Sequence, residues 1–125
     1  MSGRPRRVLV ADDDPTVALL VRAALPAGEF VTVVADNGDA AWRAWQDETF
    51  DIALLDVEMP GRDGLAVAAA IRQVSGDFPV ILVSGRQDAD FMSQLAGLAA
   101  GHLAKPVDWA ALPGLLRARL AGLGD

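Results

Sequence analysis

Five short aliphatic runs recur along the chain: RVLVA (7–11), FVTVVA (30–35), DIALLD (51–56), PVILVS (79–84) and GHLA (101–104). Between them lie Ala- and Leu-rich stretches with helical spacing. In the first, Val17, Leu20, Val21 and Ala24 follow an i, i+3, i+4, i+7 stripe, with Asp14 as a cap and Pro15 just inside the start. Further helices are predicted over about residues 39–47, 65–74, 89–99 and 108–121, and Pro113 is expected to kink or delay the last. The pattern is five βα units. Strands that are nearly continuous in apolar residues are buried on both faces, which requires a parallel sheet between helical layers. Right-handed crossovers leave few arrangements. The one expected is a flavodoxin-like doubly wound (βα)5 fold with strand order 2-1-3-4-5, an α/β architecture with helices on both faces of the sheet. That order places strands one and three side by side at the topological switch point, where ligands bind beyond the carboxyl ends of the strands.

Length and composition fit one domain with one proper core: 125 residues, 52% of them hydrophobic. No repeat, low-complexity segment or interdomain linker interrupts the pattern, so residues 1–125 read as a single domain with a core over about 7–121. The net charge of -6 opposes a general grip on nucleic acid or an anionic membrane. The one basic run, RPRR (4–7), reads as part of a solvated, flexible N-terminal arm over residues 1–6. Absence of cysteine excludes disulfides, thiolate zinc sites and cysteine nucleophiles. The longest apolar stretches are only strand-length and the N-terminus lacks the apolar core of a signal peptide, so the expected location is cytoplasmic.

Chemistry collects where the strands end. Strand one delivers Asp12 and Asp13, strand three Asp56, strand four Ser84 and Gly85, and strand five Lys105 and Pro106. Neighbouring carboxylates repel one another, by about 4 kcal/mol at 4 Å and an effective dielectric of about 20, so a cluster of them calls for a cation. Carboxylates and water suit Mg²⁺, which keeps several waters and accepts phosphate oxygens. An aspartate beside that ion can act as a nucleophile toward phosphorus. Asp56, at the end of its strand, is the candidate, with Lys105 and Ser84 contacting the remaining phosphoryl oxygens.

These residues, in this order, resemble the receiver domain of two-component response regulators. The matching pieces are Asp12 with Asp13, the Asp-x-x-Met-Pro-x-x-x-Gly run (Asp56, Met59, Pro60, Gly64), Ser84 with Gly85, and Lys105 with Pro106. The resemblance implies that Asp56 accepts a phosphoryl group from a histidine kinase's phosphohistidine or from small phosphodonors, with Mg²⁺ required. Asp13 would bind the metal directly, Asp12 directly or through water, and the Glu58 backbone carbonyl would be a further ligand beside Asp56. Ser84 would swing toward the phosphoryl group, Lys105 would pair with it, and the bond before Pro106 would be cis. The domain would be no enzyme beyond its own phosphorylation and slow dephosphorylation. Implied partners are a histidine kinase or phosphotransfer protein and, on the face of the fourth helix, fifth strand and fifth helix, a downstream protein or output domain. That face is expected to include Leu95, Leu98, His102 and Trp109, and a homodimer on phosphorylation is compatible with it; neither nucleic acid nor membrane is an expected direct partner.

Three features depart from or qualify that pattern. His102 occupies a place often held by Tyr or Phe; it reads as a polar ring partly covered by the neighbouring helix, with pH sensitivity as the sharper reading. Glu58 and Arg86 flank the expected phosphate, and their pairing across the cleft mouth would restrict hydrolytic water. Trp42 and Trp45, three apart, read as packing residues. Two competing functions remain. DDDPT also fits Asp-x-Asp-x-Thr, resembling haloacid-dehalogenase phosphatases with Asp12 as nucleophile, Asp14 as general acid and Thr16 beside it. The other is a receiver-like interaction module that works without phosphorylation.

Overall fold

In a computed structural model describing residues 4–122, the aliphatic runs form strands β1 (Arg6–Ala11), β2 (Phe30–Ala35), β3 (Ile52–Asp56), β4 (Val80–Ser84) and β5 (Gly101–Ala104). They pair in parallel in the order β2-β1-β3-β4-β5, the predicted flavodoxin-like order. Helices α1 (Pro15–Ala24), α2 (Gly38–Asp47), α3 (Gly64–Val74), α4 (Ala89–Leu98) and α5 (Leu112–Leu120) connect or follow the strands.

Because side chains alternate along a strand, each central run feeds two cores. Leu9, Ala53, Leu55 and Leu82 pack with Ala41 of α2, Val67, Ala68 and Ile71 of α3, and Phe91 and Leu95 of α4. Val8, Val10, Ile52, Leu54 and Ile81 pack with Val21 of α1 and Leu112 and Leu116 of α5. All residues of β3 and β4 are buried, which accounts for their continuous apolar sequence. Each fully buried Leu or Ile contributes about 1.5–3 kcal/mol relative to exposure, so this sandwich is the main source of stability.

Polar side chains open four of the helices. Asp14, Asn37, Asp63 and Asp88 accept N–H bonds from Thr16, Ala40, Ala66 and Phe91. The last helix differs from the continuous stretch predicted over 108–121. Asp108 caps a 3-10 turn at Trp109–Ala111, and α5 begins only afterwards, with Pro113 in its first turn where a missing N–H does no harm. α4 stops at Leu98 because Ala99 adopts left-handed backbone (φ 51°).

Two other expectations need correction. The buried side of α1 consists of Ala18 and Val21, while Leu20, expected on the stripe, is 39% exposed. The basic run is not a free arm where it is described. Arg6 starts β1, Arg4 forks onto Asp51 (3.1 and 2.8 Å), and Arg7 binds Glu48 (2.6 Å) and the Thr49 carbonyl (2.8 Å). The guanidinium groups meet carboxylates at the β2–β1–β3 end opposite the acidic loops, and these contacts hold the strand entry. Residues 1–3 of the expected arm, and 123–125 at the other terminus, lie outside the described residues. No helix among the described residues is long and apolar enough to cross a membrane.

Candidate functional site

Parallel strands place all their carboxyl ends on one sheet edge, so residues far apart in sequence meet there. β1 ends at Ala11, and the next residue, Asp12, donates its N–H to Ala35 O at the end of β2 (3.0 Å). The Asp12 carboxylate accepts the Asp14 N–H (2.9 Å), which turns the chain into α1. Asp56, the last residue of β3, is 4% exposed, and Asp12 is 6% exposed, whereas Asp13 faces solvent. One carboxylate oxygen from each of Asp12, Asp13 and Asp56 lies within 4.8 Å of the others.

Such proximity is unfavourable without a counter-charge: each pair repels by about 3–4 kcal/mol at an effective dielectric of about 20. The effect registers on Asp12. Burial pushes its carboxyl above the usual range, and the charges of Asp56 and Asp13 push the same way, against the Asp14 N–H and Lys105. Lys105 Nζ donates to Asp56 Oδ1 at 3.0 Å. Burial works to lower the lysine pKa, but the hydrogen bond and charge of Asp56, with Asp12 and Glu58 behind it, hold it above its ordinary value. Three carboxylates thus face one ammonium. The leftover negative charge and the all-oxygen donor set fit a hard divalent cation such as Mg²⁺.

Ser84 ends β4, beside Asp56 in the sheet, and is 4% exposed. Its hydroxyl accepts the Arg86 N–H (2.9 Å), and its carbonyl accepts both the Lys105 N–H (3.2 Å) and His102 Nε2 (3.1 Å). A carbonyl only accepts, so the ring must carry its proton on Nε2. The His102 ring meets Phe91 edge-on, with centroids 5.3 Å apart. It is therefore the partly covered polar ring of the sequence reading, with a specific partner in addition. Gly85 is exposed, and a Cβ built there would meet only the Lys105 Cβ, at 4.0 Å. The Lys105–Pro106 bond is cis.

The expected Glu58–Arg86 pair does not form. Arg86 instead forks onto Asp88 (both bonds 3.0 Å) and lies over the Phe91 ring, 4.9 Å from its centroid. Asp88 is only two residues away and is already fixed as the α4 cap, so the nearer, preorganised carboxylate wins. An aspartate three residues before Phe91 at a helix start is the capping signal that marks this competing acid in the sequence. The proposed partner face also changes in composition: Leu95 is 4% exposed, within the core, and Trp109 packs on the opposite side, lining a groove with Val17, Leu20 and Pro106. Trp42 and Trp45 pack as read, their rings stacked 5.7 Å apart. Asp14 caps α1, accepting the Thr16 N–H at 2.9 Å, and the phosphatase reading leaves the Lys105–Asp56 pair without a role.

The sequence matches the response regulator receiver domain over residues 8–117. It is 36% identical over 122 residues to the transcriptional regulatory protein PrrA of Mycobacterium tuberculosis, covering 95% of this chain and 52% of that protein. It is 35% identical over 115 residues to the sensor histidine kinase GacS of Pseudomonas protegens, covering 86% of this chain and 12% of GacS. The chain thus spans about half the length of PrrA and a small part of GacS. Among solved structures, a CheY-like receiver domain protein from Methanospirillum hungatei superimposes with a TM-score of 0.88 at 19% identity, over 96% of this chain and 97% of that one, a likeness of fold. The response regulator TrrA of Thermotoga maritima, solved with Mg²⁺ and BeF, gives 0.79 at 30% identity, over 91% and 98%. With acidic pair, aspartate, hydroxyl and lysine each at the carboxyl end of its own strand in that fold, the chain belongs to the response regulator receiver domains of two-component signalling.

Proposed function

We propose that Asp56 is the phosphoacceptor of a phosphohistidine-to-aspartate transfer and that Asp12, Asp13, Asp56 and the Glu58 carbonyl hold Mg²⁺ during it. The observation that carries this reading is the Lys105 Nζ contact with Asp56 Oδ1, 3.0 Å, inside the three-carboxylate cluster. An oxygen of Asp56 attacks phosphorus; a P–O bond forms as the P–N bond of the donor breaks, and the imidazole leaves with the bonding pair. Bound Mg²⁺ supplies compensation for the negative charge gathered on the transferring group. Lys105 pairs with a phosphoryl oxygen in place of the carboxylate it now contacts. The Ser84 hydroxyl turns its O–H toward another, giving up the Arg86 N–H.

That movement is the switch. Ser84 also carries the carbonyl bonded by His102 and Lys105, so a shift of its loop reaches β5 directly and α4 through the His102 ring against Phe91. The surface that changes is the one around Leu98 and His102, where a downstream protein, an output domain or a second copy binds. The phosphoryl donor is a histidine kinase or phosphotransfer protein, in keeping with similar stretches inside both a transcriptional regulator and a sensor kinase. We place the unit, a single receiver over about residues 7–121, in the cytoplasm, with no direct hold on nucleic acid.

Phosphotransfer from a radiolabelled phosphohistidine protein tests this. Label should reach the wild-type chain only with Mg²⁺ and should not reach Asp56→Asn. Label retained by Asp56→Asn and lost in Asp12→Asn would contradict it.

A further inference from the structure

The loop leaving Asp56, residues 57–63, is held by close backbone approaches rather than by its own hydrogen bonds alone. At its far end, a Cβ on Gly64 would overlap Asp56 O and lie 2.8 Å from its carbonyl carbon, while Gly64 N donates to Val57 O (3.0 Å). Its middle rests on the first turn of α2. Gly38 N donates to Pro60 O (3.2 Å), and a Cβ on Gly38 would overlap Arg62 O, 2.5 Å from Arg62 C and 2.8 Å from Arg62 Cβ. The backbone of Gly38 is not left-handed, so what this position requires is empty space.

Neighbouring contacts reinforce the seat. Gly61, at φ +73°, lies against the Asp39 carboxylate; Arg62 Nε is 3.4 Å from Asp39 Oδ1, and its guanidinium lies 5.7 Å from the Trp42 ring centroid. Trp42 stacks on Trp45, which meets Phe78 edge-on at 5.4 Å just before β4. The same stretch reaches the other acidic arm, because Ala35, three residues before Gly38, accepts the Asp12 N–H. One short connection therefore touches the backbone at Asp12 and the loop that follows Asp56.

We infer that Gly38 is a positioning residue for the acidic site: lacking a Cβ, it lets α2 seat the 57–63 loop and so sets where that loop's backbone carbonyls stand relative to Asp13 and Asp56. This rests on reading the cluster as a Mg²⁺ site. A side chain at position 38 would push the Arg62 carbonyl away and move the loop outward, leaving Asp56, Ser84 and Lys105 on their strands.

Calorimetric Mg²⁺ titration of the full chain, with acetyl phosphate reactions at saturating Mg²⁺, tests it in the wild type and in Gly38→Ala, Arg62→Ala and Gly76→Ala. Gly76 is the control, since a Cβ there meets nothing within 4 Å. Gly38→Ala should raise the Mg²⁺ Kd about tenfold, the scale of a lost supporting contact at a metal site, with the saturated rate nearly kept. Arg62→Ala leaves the carbonyl and removes only exposed contacts, so about two- to threefold is expected. Gly76→Ala should bind as wild type. A merely destabilised chain would lose its melting temperature but keep its Kd. Folded Gly38→Ala with a wild-type Kd overturns the inference; should that variant not fold, exchange of the wild-type Gly38 amide, which donates to Pro60 O, left unchanged by saturating Mg²⁺ overturns it. Absence of Mg²⁺ binding in the wild type overturns the metal-site reading as well.

Discussion

Lys105 and Asp56, 49 residues apart, meet at 3.0 Å because Asp56 ends β3 and Lys105 follows β5 on the same sheet edge. The aspartate side chain is 5% exposed and the lysine 41%, so a nearly dry carboxylate is paired with an ammonium that reaches in from solvent. The pair holds the Asp56 carboxylate in place and, on the proposed reaction, keeps a positive charge where negative charge would collect.

Lys105→Met should therefore slow phosphorylation by acetyl phosphate by about 10²-fold, the usual loss when one charge-stabilising donor is removed. Stopped assays read by phosphate-affinity electrophoresis measure the rate, and Mg²⁺ binding should persist.

Asp12 sets a pH dependence. Its folded-state pKa is raised, chiefly by burial and then by its acidic neighbours, so the native state holds this proton more tightly than the unfolded chain does. Its contribution to stability is present at low pH and declines as pH rises through the carboxylate range. Asp12→Asn should consequently melt above the wild type at neutral pH without metal, and the gap should close on acidification to below about pH 4. Added Mg²⁺ should raise the wild-type melting temperature more than that of the variant.

Asp88 has the opposite sign. The Arg86 fork, aided by the Phe91 N–H, lowers its pKa to about 2. The stability it provides is present above the ordinary aspartate value and lost as pH falls toward about 2. Asp88→Ala should be less stable than wild type near neutrality, with the difference vanishing in acid; urea melts across pH measure it.

Phe91 joins the α4 core to the site, being fully buried beneath the Arg86 guanidinium and the His102 ring. Phe91→Ala should cost about 3–5 kcal/mol in denaturant unfolding. Phe91→Leu should cost less, because it refills most of the space.

The strand ends were legible in the sequence because a buried parallel strand is a continuous aliphatic run and the residue after it is at the sheet edge. Asp12, Asp56, Ser84 and Lys105 needed nothing more to be brought together. Helix faces were less legible: an Ala-rich helix offers several stripes, and α1 buries Ala18 rather than Leu20. The partner of Arg86 was not legible, because Asp88, already ordered as a cap, competes at shorter range than Glu58. Gly38 carried no signal at all. Its role depends on where the 57–63 loop lies in space, which neither spacing nor composition encodes.

The proposed reaction makes Asp56 the acceptor of the phosphoryl group. Intact mass spectrometry after incubation with acetyl phosphate, with and without Mg²⁺, tests this in the wild type and Asp56→Asn. One Mg²⁺-dependent phosphoryl adduct on the wild type, absent from the variant, is the predicted result. An adduct that survives Asp56→Asn, or a wild-type chain that binds Mg²⁺ and is modified by neither acetyl phosphate nor a phosphohistidine donor, would contradict it.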